Sequence, residues 1–198
     1  MRILLIGATG TIGKAVAAAL AGRHDLVRAS RRKADEQVDM ADPASIRALY
    51  QRVGRVDAIV SAAGEAAFKP LAELGDGDFD FSLARKLMGQ VNLVRFGLAS
   101  VADGGSITLT SGVLAQHPEP GTAAISLVNA GLEGFTRAAA LEAPRGIRVN
   151  VVSPPWLTET LQAMGRPLDG SLPAEVVARA YVRSVEGTDK GQVLSPAP

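Results

Sequence analysis

Glycines at positions 7, 10 and 13, set between an apolar run and an alanine-rich stretch, constrain this chain more than any other feature. Arg2–Ile6 reads as a buried strand and residues 11–22 as a helix of small apolar residues. The turn between them is Gly7-Ala8-Thr9-Gly10-Thr11-Ile12-Gly13. Gly7 permits the tight turn, Gly10 lets the backbone approach a pyrophosphate, and Gly13 lets helix and strand pack closely. Backbone N–H groups and the positive helix end then favour phosphate. The same glycines without that context are only a flexible loop; strand, turn and helix in order point to a dinucleotide.

The rest of the chain repeats the alternation. Residues 26–30 read as a second short strand. Pro43–Val53 reads as a helix, with Asp42 as N-cap and Pro43 at the first helical position. Val56–Ser61 is a third strand, 78–101 a long helix, and 105–111 a strand rich in β-branched residues. A helix over 121–142 ends at Pro144 and Gly146. A strand at 147–152, a helix at 173–184 and a short strand at 192–194 complete the pattern. Strands separated by single helices imply βαβ units. The expected fold is one α/β domain over 1–198: a doubly wound parallel sheet of Rossmann type, covered by helices on both faces in three layers.

Composition excludes several classes. Lys and Arg total 21 against 20 Asp and Glu, a net charge of +1. No bulk field draws nucleic acid or an anionic membrane. Cysteine is absent, which removes disulfides, thiolate catalysis and Cys-based zinc. Two histidines, His24 and His117, are too few for a His-rich metal site, so no metal is expected. No apolar run approaches the ~20 residues that span a bilayer. The opening residues are too short for a signal-peptide core, and a cytoplasmic protein is the expectation.

The end of the second strand bears on cofactor choice. An NAD-binding fold usually carries an acid there for the ribose 2′-hydroxyl. This chain has Ala29-Ser30-Arg31-Arg32. A hydroxyl followed by two guanidinium groups suits a 2′-phosphate, because arginine offers a planar two-pronged donor. NADP is therefore favoured over NAD; the other reading is a solvated basic loop.

With these motifs in place, the sequence resembles the short-chain dehydrogenase/reductase family over nearly its whole length. Val38-Asp39-Met40-Ala41-Asp42 resembles the family's adenine-contacting segment, which implies Asp39 facing the adenine amine and Met40 beside the ring. Ser61-Ala62-Ala63-Gly64 resembles the Asn-Ala-Gly-type turn, with Ser61 in place of Asn. Thr108-Leu109-Thr110-Ser111-Gly112 resembles the strand ending in the catalytic serine, which gives Ser111 that role. Arg148-Val149-Asn150-Val151-Val152-Ser153-Pro154 resembles the strand before the nicotinamide-side loop, where the usual Pro-Gly is Pro154-Pro155. The resemblance implies cofactor contacts at Gly7, Thr9, Gly10, Thr11, Ile12, Gly13, Ser30, Arg31, Arg32, Asp39, Met40, Ala62, Ala63, Gly64, Pro154, Trp156 and Leu157.

The family pattern breaks in the next helix. The family places a Tyr and, four residues on, a Lys on one helix face. The Lys lowers the phenol pKa, and the phenol exchanges a proton while hydride moves. Aligning the family's continuation on Ala130-Gly131-Leu132-Glu133-Gly134 puts Ile125 and Asn129 at those positions. Neither can do that work. The two tyrosines, Tyr50 and Tyr181, have Gly54 and Val185 four residues on. Both read as surface or core aromatics in helices far from Ser111.

Lys86 falls where the family carries an Asn that anchors a relay water. In a semi-buried cleft its amine can act as acid or base; otherwise it is a solvated charge, as Arg85 is expected to be. His117, before Pro118, reads chiefly as an exposed loop residue. The chain is shorter than the family's usual length near residues 155–174, where a substrate-covering lid normally lies. Trp156 is the single tryptophan and either lines the nicotinamide end or fills a core gap.

Three functions follow from these readings. The first is an NADP-dependent oxidoreductase acting on a small carbonyl or alcohol, with Ser111 on the substrate oxygen and Lys86 or water moving the proton. The second is a non-catalytic NADP-binding sensor or regulator. The third, an epimerase that keeps its cofactor, has no feature in its favour. The expected partners are a small-molecule substrate and further copies of the chain. A homodimer or homotetramer would form through the two long helices, where Leu93, Phe96, Leu127 and Phe135 exceed one buried face.

Overall fold

The computed structural model describes residues 1–197. Among these residues seven parallel strands form one sheet: β1 (Arg2–Ile6), β2 (Asp25–Ser30), β3 (Glu36–Gln37), β4 (Val56–Ser61), β5 (Val101–Thr110), β6 (Arg148–Val152) and β7 (Val193–Leu194). Their spatial order is β3-β2-β1-β4-β5-β6-β7. Helices α1 (Thr11–Ala21) and α7 (Ala174–Glu186) cover one face, packing on Ile3, Leu5, Val60 and Val152. Helices α2 (Pro43–Val53), α4 (Gly89–Gly97) and α5 (Ala123–Glu142) cover the other, on Leu4, Ile59, Ile107 and Val149. A central strand buried on both faces must be apolar on both, which is why β1 reads as an unbroken run. The three layers agree with the sequence expectation. Strand order reverses between β1 and β4, so a crevice opens beyond their carboxyl ends, where ligands bind in such sheets.

Four details differ from the sequence reading. The helix expected over 78–101 is α3 (Asp76–Ser82), a π-helical segment (Leu83–Met88) and then α4, which stops at Gly97. Val101 instead opens β5, opposite Val56, because a β-branched residue gains more from the sheet than from a helix end. A two-residue edge strand, β3, adds Glu36 and Gln37, whose polarity leaves no apolar signal. A short helix, α6 (Thr158–Ala163), occupies the region read as a reduced lid. Tyr181 is not far from Ser111: its hydroxyl lies 2.6 Å from Thr110 Oγ1. It is nonetheless a core aromatic on the α1/α7 face, and burial pushes its phenol pKa up.

Leu93 is fully buried within its own chain, and Phe96 and Phe135 pack partly against the core, whereas Leu127 is exposed. Among the described residues no helix is long and apolar enough to cross a membrane.

The turn from β1 into α1 leaves no space for a side chain at Gly7 or Gly13. A methyl group on Gly13 would collide with the Gly7 carbonyl. Gly13→Ala is expected to destabilise the fold by about 1–3 kcal/mol, and at about 2–4 °C per kcal/mol a thermal melt would register it. An unchanged melting temperature would mean that the turn relaxes freely and is not the rigid element described here.

Candidate functional site

Two cavities lie along the carboxyl ends of the strands and meet at Ala62-Ala63-Gly64. The first, about 260 Å³, is lined by Gly7, Thr9, Gly10, Ser30, Arg31, Asp39, Met40, Glu65 and Arg85, among others. The second, about 220 Å³, is lined by Ile12, Phe68, Lys86, Ser111, Gly112, Ile125, Asn129, Pro154, Trp156 and Leu157, with several neighbours. Fourteen of the seventeen expected cofactor contacts are thus gathered on one elongated crevice. Three are not part of its lining. Gly13 is buried beneath the turn, and Thr11 and Arg32 point to solvent.

The crevice has the chemistry of a dinucleotide site. No side chain caps α1, so its first-turn N–H groups are left to a ligand. Two buried polar atoms on the lining have no partner: Ser30 Oγ in the first cavity and Asn129 Oδ1 in the second. Such orphans are costly unless a ligand or water satisfies them. Asp39 lines the first cavity, but its Oδ1 accepts from the Ala41 N–H at 3.0 Å. Met40 is buried at the same wall.

The π-helical segment is what brings Lys86 inward. A π turn inserts an extra residue into a helix and redirects the side chains around it. Lys86 is only 8% exposed and its Nζ donates to the Ser111 carbonyl at 3.3 Å. Its stem lies on Gly64: a Cβ there would stand 2.8 Å from Lys86 Cγ, and φ of +145° already demands glycine. Burial lowers the Lys86 amine to about 8. Four residues on, the buried Gln90 exchanges two 2.8 Å hydrogen bonds with the Thr110 backbone, which fastens α4 to the end of β5.

Around the amine the site departs from the sequence expectation. The Ser111 hydroxyl donates to Glu133 Oε1 at 3.0 Å, so its proton is committed inside the protein. Gln116 Nε2 donates to the other oxygen of that carboxyl. Glu133 was not singled out in the sequence, because a lone Glu in an amphipathic helix carries no signal of burial. Asn129 Nδ2 donates to the Gly112 carbonyl at 3.4 Å, and its Oδ1 is buried with no hydrogen-bond partner among the described residues. Ile125 supplies an apolar wall.

The far wall is a braced aromatic pair. Phe68 and Trp156 have ring centroids 6.0 Å apart. Trp156 Nε1 donates to Glu119 Oε1 at 2.9 Å, and Arg166 pairs with Glu119 at 3.2 Å while lying 5.0 Å over the indole. The indole N–H bond, first, and Arg166 hold the Glu119 carboxyl below the usual range. His117 is exposed and does not line the cleft. Arg85, expected as a solvated charge, is partly exposed and also lines the first cavity, at 3.6 Å from Glu65 and 3.9 Å from Asp39. Among the described residues, no group of three His, Cys, Asp or Glu side chains is arranged to hold a metal ion.

Comparison with known proteins agrees with the fold. A family model described as enoyl-(acyl carrier protein) reductase matches residues 7–193. The protein lin1944 from Listeria innocua is 41% identical, with a TM-score of 0.96 over 100% of both chains. A small-chain dehydrogenase solved in complex with NADPH is 26% identical, with a TM-score of 0.87 over 98% of this chain and 95% of its own. Oxidoreductase UcpA of Escherichia coli (strain K12) is 29% identical over 143 residues, 66% of this chain and 54% of its own length. Hydroxynaphthalene reductase arp2 of Aspergillus fumigatus is 33% identical over 123 residues, 60% and 45% of the two chains. The chain spans about half the length of these two curated relatives.

The buried amine has a consequence for stability. Its value is about 8 in the folded protein against 10.5 for the free side chain. Between those values the unfolded chain binds the extra proton, so stability rises with pH across that window. Lys86→Met is expected to melt higher than wild type at pH 7, by several degrees, with the gap shrinking towards pH 10. A gap that stays constant from pH 7 to 10, or Lys86→Met melting lower, would contradict a desolvated amine.

Proposed function

The chain belongs to the short-chain dehydrogenase/reductase family, and from that premise we propose that it is an NADP(H)-dependent oxidoreductase of a small carbonyl or alcohol, with Lys86 as its proton donor. When bound, the nicotinamide supplies or accepts the hydride. Everything else is the work of the chain. The observation that carries the reading is a single one: a buried amine, lowered to about 8, lines the same cavity as Asn129 and Trp156. Among the described residues one acceptor, the Ser111 carbonyl, engages it, which leaves two of its N–H bonds for a substrate oxygen. An acid whose pKa lies near the working pH is the efficient kind.

Ser111 then acts through its backbone, positioning Lys86, while its hydroxyl stays on Glu133. Asn129, with its amide on the Gly112 carbonyl, forms part of the wall of the same cavity. The Phe68 and Trp156 rings favour a flat, largely apolar substrate. Arg31 and Ser30, at the other end of the crevice, favour the 2′-phosphate form of the cofactor, as does the NADPH complex of the related dehydrogenase. A second reading, a non-catalytic NADP-binding sensor, draws on Ile125 and Asn129 standing where the family's Tyr and Lys are expected.

Turnover with NADPH across a panel of small aldehydes and ketones tests the choice. Wild type is expected to turn over slowly, with a rate that falls as pH rises through about 8 because the ammonium form is the donor. Lys86→Met should lose ~10²–10⁴-fold while still binding NADPH. Equal rates for the two proteins would remove Lys86 from the mechanism, and no turnover by either would favour the sensor.

We also propose that the chain self-associates through α4 and α5, where Leu127 and Leu141 are 50% and 86% exposed on α5. Light scattering at tens of micromolar should return a dimer or tetramer mass; a monomer would refute it.

A further inference from the structure

The first cavity contains a charge arrangement that the proposed reaction does not use. Arg31 enters from beyond β2 and Arg85 from the π-helical segment, and both reach one oxygen. Arg31 Nη1 lies 3.3 Å and Arg85 Nη1 3.6 Å from Glu65 Oε2. An anionic oxygen between two guanidinium groups is the arrangement a phosphate oxygen takes between two arginines. The Arg31, Glu65, Arg85 and Asp39 side chains are each 30–52% exposed. Ion pairs that open to solvent are weak and exchange readily for a stronger anion. A phosphate monoester carries close to two charges at neutral pH, against one on a carboxylate.

We propose that Arg85 is a cofactor-binding residue, the second half of a two-arginine clamp for the ribose 2′-phosphate of NADP(H), with Glu65 as the resident anion that the phosphate displaces. The inference rests on the NADP(H) reading above and extends it to a residue from outside the β2 end. Without a 2′-phosphate, Glu65 bridges both arginines, so the clamp discriminates by exchange of anions. Arg85 is followed directly by Lys86 on the same π-helical segment. One six-residue stretch thus sends a cation into each half of the crevice.

Calorimetric titration of the full chain with NADPH and with NADH, which differ only in that phosphate, reads the clamp without reference to turnover. Wild type is expected to favour NADPH. Arg85→Gln and Arg31→Gln should each weaken NADPH about tenfold or more and NADH by less than about twofold. Glu65→Gln should tighten NADPH. Arg85→Gln with the wild-type preference intact would overturn the clamp and leave the NADP(H) reading standing. A wild type that binds both cofactors equally would overturn that reading and the clamp with it. Equal loss of both cofactors in Arg85→Gln would make Arg85 a general structural residue, and weaker NADPH binding by Glu65→Gln would make Glu65 a ligand rather than a competitor; either result overturns the proposal.

Discussion

The close approach of Gly64 to the Lys86 stem is the contact on which the crevice depends. Without a side chain at 64, the loop after β4 can lie directly on the π-helical segment. That contact decides two things at once. It covers the alkyl stem of Lys86, so the amine is buried and its proton loosened. It also brings the next residue, Glu65, against Arg85. A β-carbon at 64 would push the segment away and separate both pairs.

A second constraint acts from the sheet. Gln90 fastens α4 to Thr110, and Ser111 presents its carbonyl to Lys86. The amine is therefore held by backbone that the parallel sheet itself makes rigid. Its surroundings are largely apolar, which is what makes its proton mobile near neutral pH. The first cavity is the opposite case. Its charges are numerous, mutually compensated and open to water, so they influence which anion binds more than they influence stability. One crevice thus runs from a solvated ionic end to a desolvated end with one titratable group.

Much of this arrangement could be read from residue order. The glycine turn, the apolar β1 and the alternation of strands with helices carry local physical signals, and the three layers follow from them. The long helix was legible as a helix, but not its π turn, because an inserted residue in the hydrogen-bond ladder has no periodicity of its own. Arg85 looked like a surface charge for the same reason: its neighbours Glu65 and Asp39 are 20 and 46 residues away in the chain. Glu133 was equally silent, since burial of an acid shows only once Ser111 and Gln116 are beside it.

By itself, then, the sequence determined the class of fold, the glycine turn from β1 into α1 and the absence of tyrosine and lysine at 125 and 129. Each of these is a matter of residue type at short spacing, which the chain carries wherever it goes. Tertiary structure decided that Lys86 is inside, that Ser111 donates to Glu133 rather than into the cleft, and that Arg31 and Arg85 share one carboxylate. Those are questions of burial and direction between distant segments. They are settled only when the sheet and its helices set the distances, because desolvation and Coulomb attraction depend on surroundings that no single stretch of chain contains.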